Sequence, residues 1–115
     1  MDQLQKETCI PCEGQVAPIT AAEISELLPQ LTGWNIVKEN GIDHLQRNYK
    51  FPDFQSALTF TNLVGEAAEK AGHHPVLVTE WGKVTVIWWT HAINGLHRND
   101  FVMAAKTDQA FLNAN

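Results

Sequence analysis

Along this chain the apolar positions switch between a helical and a strand period, and the switches outline its elements. In "TAAEISELLPQL", Ile24, Leu27, Leu28 and Leu31 fall on one helical face. Thr20 and Glu23 have the spacing of a capping box, in which each side chain takes the other's backbone N–H. Pro29 comes late, so the helix ends or tightens there. "GWNIVKENGIDHLQRNYKF" reads as a hairpin. Trp34, Ile36 and, most weakly, Lys38 alternate with Asn35 and Val37, and Asn40-Gly41 is a strong two-residue turn signal. The return strand runs from Ile42 to Phe51 with Leu45 as its clearest apolar anchor.

"PDFQSALTFTNLVGEAAEKAG" predicts a long helix with Asp53 as N-cap behind Pro52. Phe54, Ala57, Leu58, Thr61, Val64, Ala68 and Ala71 form its apolar stripe, and Gly72 sits where a left-handed terminal residue is expected. "HPVLVTEW" and "KVTVIWWTH" predict two strands around Gly82. In the second, Val84, Val86, Trp88 and Thr90 point one way and Thr85, Ile87, Trp89 and His91 the other. A strand apolar on both faces is central, or lies between helices and a partner subunit. Asp100 can cap a last helix, "FVMAAKTDQAFLNAN". The order α-β-β-α-β-β-α predicts an α+β fold, a four-stranded antiparallel sheet with helices packed on one face.

With 115 residues the chain makes one domain, read as a polar leader over residues 1–18 and a domain over 19–115. A net charge of −5 without a basic patch argues against a nucleic-acid partner. No signal peptide or bilayer-spanning run is seen, so no membrane role and a cytoplasmic location are expected. The two cysteines, Cys9 and Cys12, form one C-x-x-C in the leader and would stay reduced there. Without a second pair or finger-spaced histidines, a passive or local structural role is expected. The low charged fraction, 18%, leaves room for an apolar oligomer interface.

Four of the five histidines lie between Glu69 and Asp100. Glu69 is four residues before His73, so the two can face each other across the helix end. Pro75 forces His74 towards an extended backbone, so the adjacent imidazoles diverge. If the strands around Gly82 form a hairpin, His74–Pro75 and Thr90–His91 come level, each about eight residues from the turn. Three imidazoles, a hydroxyl and a carboxylate would then share one end of the sheet. One reading is general acid and base, since imidazole titrates near neutrality and Glu69 or Asp100 can orient it. The other is a metal site of His73, His74 and His91 with Glu69 or Asp100, although the spacing fits no standard ligand pattern. The plainest alternative is that each is a turn residue or solvent-facing tip, and this is the reading for His97; His44 reads as a solvent-face strand residue. Trp34 is core or a stacking wall, and Trp81, Trp88 and Trp89 are sheet packing or interface.

At these residues the chain resembles the pterin-4a-carbinolamine dehydratase family. The match is the ordered set Glu69, His73-His74-Pro75, Trp81, Thr90-His91, Gly95-Leu96 and Asp100. "LTGW", "RNYKFPDFQSALTF" and the "CIPCEG" leader extend it over nearly the whole chain. The resemblance implies an α+β fold, sheets joined edge to edge in dimers, and often tetramers. It implies dehydration of 4a-hydroxytetrahydrobiopterin to the quinonoid dihydropterin, recycling pterin for aromatic amino-acid hydroxylases, with no metal or organic cofactor. Carried over by position, His73, His74 and His91 are the catalytic imidazoles. Glu69, Thr90 and Asp100 support or bind, and Trp34 walls the pocket. The chain departs from the family pattern at Gly72, where some members have an acid, at Ala92, often Asp or Glu, and at His97, often Thr. A competing class is a non-catalytic dimerisation or assembly protein of the same fold, working through its helix face and sheet edges.

Overall fold

The computed structural model describes residues 4–7 and 18–114. Cys9 and Cys12 lie outside the described residues. Thr20 and Glu23 close the expected capping box at the start of α1 (Ala21–Leu27), and Pro29 falls in a 3-10 turn, Leu28–Gln30, that ends it. β1 (Asn35–Glu39) and β2 (Ile42–Lys50) form the expected hairpin. Asn40 and Gly41 both take positive φ, 52° and 78°, as the two-residue turn demands. α2 (Phe54–Ala71) starts at Asp53, whose carboxylate accepts from the Ser56 N–H, and ends at left-handed Gly72. β3 (Val76–Glu80) and β4 (Lys83–Trp88) follow, then α3 (Arg98–Ala114).

The strands form one antiparallel sheet in the order β1-β2-β4-β3. β4 is central, as its two apolar faces predict. Val84, Val86 and Trp88 are buried on the face covered by α2 and α3, and Thr85 and Ile87 are half-buried on the other. The α2 stripe is offset from its expectation. Ala57, Phe60, Val64 and Ala68 are the buried residues, whereas Phe54 is 45% exposed. Phe60 belongs to the stripe because it meets an aromatic cluster of Tyr49, Phe51 and Phe111. β2 stops at Lys50, one residue short of expectation, because the Phe51 N–H turns to the Gly82 carbonyl. Within the expected leader, Leu4 is buried in the core and Glu7 holds Arg98 at the start of α3 through two hydrogen bonds.

A second polar device fastens α3 to the sheet. Asp108 accepts from the Trp34 indole N–H at 3.0 Å, from Arg47 at 2.8 Å and from the Tyr49 hydroxyl. Burial, and then the neighbouring carboxylate, push the Tyr49 hydroxyl far above its ordinary range, so it stays a donor. Gly33 is needed beside it. Its φ is +93°, and a Cβ there would lie 2.9 Å from the Arg47 guanidinium. Replacing Asp108 by Ala strands these donors. The expected loss is about 2–3 kcal/mol, discounted for the partial exposure of the site, and urea denaturation measures it.

Candidate active site

The β3–β4 register pairs Val76 with Ile87 and Glu80 with Lys83, so its continuation sets His73 level with Thr90 and His74 level with Trp89. The hairpin on which the histidine cluster depended is therefore present. Left-handed Gly72 then decides which histidine goes where. It turns His73 inward, with the His73 N–H bonded to the Ala68 carbonyl. His73 Nε2 lies 2.6 Å from Asp100 Oδ1. His73 is 8% exposed, and its ring lies nearly parallel to the Trp88 indole, with centroids 5.6 Å apart and planes 8° apart.

Asp100 is fully buried. A buried carboxylate is costly unless its lone pairs are filled. Here Oδ1 takes His73, and Oδ2 accepts from the Thr90 hydroxyl at 2.8 Å and from the His97 N–H at 2.9 Å. Thr90 is fixed in turn by bonding with Gly95 in both directions, which closes the loop after β4.

Glu69 does not face His73. The i,i+4 expectation assumed that the helix continues, but the left-handed exit at Gly72 swings His73 away and leaves Glu69 with His74, at 2.8 Å. Both side chains are largely exposed, so this pair orients more than it stabilises. His91 is also exposed, in a 3-10 turn (His91–Ile93), and its ring stacks on Trp89 at 4.3 Å. Trp89 also stacks with His44 at 4.2 Å, so His44 is not a plain solvent-face residue. Thus His73, Thr90 and Asp100 come together in the interior, while His74 with Glu69 and His91 with Trp89 stand outside it. Trp34 lies in the Asp108 cluster, its indole N–H already bonded there.

Two expectations for the start of α3 change. The helix begins at Arg98, not after Asp100, and His97 is buried and not a solvent-facing tip. His97 is the cap: its Nδ1 accepts from the Asn99 N–H at 3.0 Å, while Asp100 in the first turn accepts from the His97 N–H. The exchange is similar to a capping box, with imidazole in the place of the usual hydroxyl and the second rather than the third helical N–H as its donor. Accepting through Nδ1 requires neutral His97. Burial lowers its pKa from the ordinary 6.5, overcoming the opposing pull of Asp100. Among the described residues no group of three or more His, Cys, Asp or Glu converges to hold a metal ion. No described helix is long and apolar enough to cross a membrane.

The sequence model of the family described as pterin 4 alpha carbinolamine dehydratase matches residues 17–110. A protein from Microcystis aeruginosa with the provisional name pterin-4-alpha-carbinolamine dehydratase is 54% identical over 115 residues, covering 100% of this chain and 99% of its own length. One from Chlorobaculum tepidum with the same provisional name is 54% identical over 109 residues, covering 95% of this chain and 98% of its own. The crystal structure of a transcriptional coactivator/pterin dehydratase from Brucella melitensis superposes with a TM-score of 0.73 at 34% identity, covering 82% of this chain and 98% of that one. A pterin dehydratase-like protein described as a RuBisCO assembly factor shares the fold, with a TM-score of 0.59 at 16% identity, over 69% of this chain and 89% of its own. The chain belongs to the pterin-4-alpha-carbinolamine dehydratase family.

The cap makes stability depend on pH. Because the folded-state pKa of His97 is lowered, the unfolded chain takes up this proton first as pH falls below 6.5. The His97 contribution is therefore present at neutral pH and lost on acidification. His97→Asn keeps a capping acceptor without the titration. Melting temperatures of both proteins between pH 7.5 and 5 are expected to show the wild type losing more.

Proposed function

We propose that the protein dehydrates a pterin 4a-carbinolamine, 4a-hydroxytetrahydrobiopterin or a close analogue, to the quinonoid dihydropterin, with His73, His74 and His91 as its working imidazoles. The observation that carries this reading is the buried His73–Asp100 pair. Asp100 already accepts from Thr90 and His97 through its second oxygen, so it acts as an acceptor towards His73 as well. His73 Nε2 donates to it, and Nδ1 is left as the nitrogen that takes or gives a proton. An imidazole held in one tautomer by a carboxylate is suited to general acid–base work near neutral pH.

The reaction breaks the C4a–O bond and the ring N–H bond and forms a C=N double bond. One proton leaves nitrogen, one reaches oxygen, and water departs. His73 leads this transfer. His91, on the outward side, serves the departing hydroxyl or the ring N–H. His74, oriented by Glu69, binds the pterin and assists. Each proton taken is balanced by one given, so the protein ends as it began. The reading includes a cytoplasmic homo-oligomer that needs no metal or organic cofactor and returns pterin to aromatic amino-acid hydroxylases.

A second reading, an interaction or assembly role, draws on β3. It is an edge strand, with Val78 42% exposed on the outward face and Trp81 exposed in the turn beyond. Binding that persists when the histidines are replaced would identify such a role beside catalysis.

On a synthetic carbinolamine, folded His73→Ala and His91→Ala are each expected to lose about 10²–10⁴-fold in dehydration rate, the range of a positioned acid or base. Normal rates in both would sink the proposal. Asp100→Asn, nearly isosteric, is expected to slow the reaction about tenfold or more by unsettling the His73 tautomer. Stopped-flow absorbance of the pterin reads all three.

A further inference from the structure

The three imidazoles are held by unlike means. His73 is fixed by Asp100 and His74 by Glu69. The His91 ring, exposed at the start of a 3-10 turn, makes no hydrogen bond within the described residues; its contact is the face of Trp89. An exposed imidazole without a hydrogen bond samples several rotamers, and ordering it carries an entropic cost. A flat indole at 4.3 Å, tilted by 25°, restricts both the position and the plane of that ring.

Trp89 can do this because it is itself gripped. It follows directly on Trp88, which is fully buried and donates its indole N–H to Thr107 of α3. Leu45 pairs with Trp88, so the neighbouring position on β2, His44, comes opposite Trp89 and stacks on it at 4.2 Å and 24°. The result is a three-ring ladder, His44–Trp89–His91, on the sheet face away from the helices. Two imidazoles thus already stack on the Trp89 indole. It acts as a spacer.

We infer that Trp89, braced by His44, is the positioning residue that sets the orientation of His91. This rests on the proposed use of His91 in dehydration and extends it to residues that touch no substrate. A misplaced acid or base can cost up to about 10²-fold, so a missing brace behind an otherwise intact His91 is expected to lower kcat about tenfold with little change in KM.

The test compares Trp89→Leu, Trp89→Phe, His44→Ala, His91→Ala and the Trp89→Leu/His91→Ala double variant, all checked for folding by circular dichroism. Trp89→Leu should show the kcat loss and Trp89→Phe should restore most of it, since a ring remains to stack on. His44→Ala should fall between Trp89→Leu and the wild type. The double variant should be no slower than His91→Ala alone, because Trp89 acts through His91. The kcat-against-KM split and the double variant are the readouts that a merely structural role would not move, and NMR checks that the stack exists in solution. The His91 and His44 ring C–H resonances should carry an aromatic ring-current shift in the wild type and in Trp89→Phe, and lose it in Trp89→Leu. A wild-type kcat in Trp89→Leu beside an impaired His91→Ala would overturn this inference alone. So would a further loss in the double variant equal to that of Trp89→Leu by itself. A wild-type rate in His91→Ala would overturn the assignment of His91 and this inference together.

Discussion

A carboxylate with no access to water has to be satisfied from within the protein, and Asp100 meets that demand with donors from three separate segments. His73 comes from the exit of α2, Thr90 from the end of β4, and the His97 N–H from the start of α3. Each donor fixes where its segment ends or begins. Removing any one leaves an oxygen short of a partner in a place where water cannot replace it. The local geometry around the candidate site follows from this requirement: the left-handed turn at Gly72, the closed loop from Thr90 to Gly95 and the early start of α3 all bring a donor to the same two oxygens. Asp108, two turns further along α3, repeats the device with Trp34, Arg47 and Tyr49. The final helix is therefore tied to the sheet by carboxylates at two levels, with apolar packing between them.

Much of this was legible in the sequence where local rules decide the outcome. Asn40-Gly41 and Gly82 marked turns because few other residues accept their backbone angles, and the capping box at Thr20 and Glu23 is a matter of spacing. The central position of β4 followed from its two apolar faces. The same hairpin reasoning brought the two histidine groups to one end of the sheet.

What escaped the sequence depended on burial or on non-local pairing. In "GLHRND" the aspartate is the better cap by residue type, and an imidazole can cap through its ring nitrogen only in the neutral form that burial of His97 favours. The expected Glu69–His73 pair relied on helical spacing that a single left-handed residue cancels. The stacking of His44 on Trp89 joins β2 to β4, which are neighbours in space but not in sequence, and no periodicity within either strand announces it.

Trp88 and Trp89, adjacent in the chain, each back a different imidazole, one towards the helices and one towards the open sheet face. The pleat of a single strand thus divides the candidate site into a dry half and a wet half. Dissolved ions reach the exposed rings of His74 and His91 but not the carboxylate behind His73. Salt at physiological strength screens exposed charges beyond about 8 Å and acts weakly on buried pairs. Ionic strength therefore becomes a one-sided control, able to tune how a charged ligand is met at the surface while leaving the buried His73–Asp100 pair as it was.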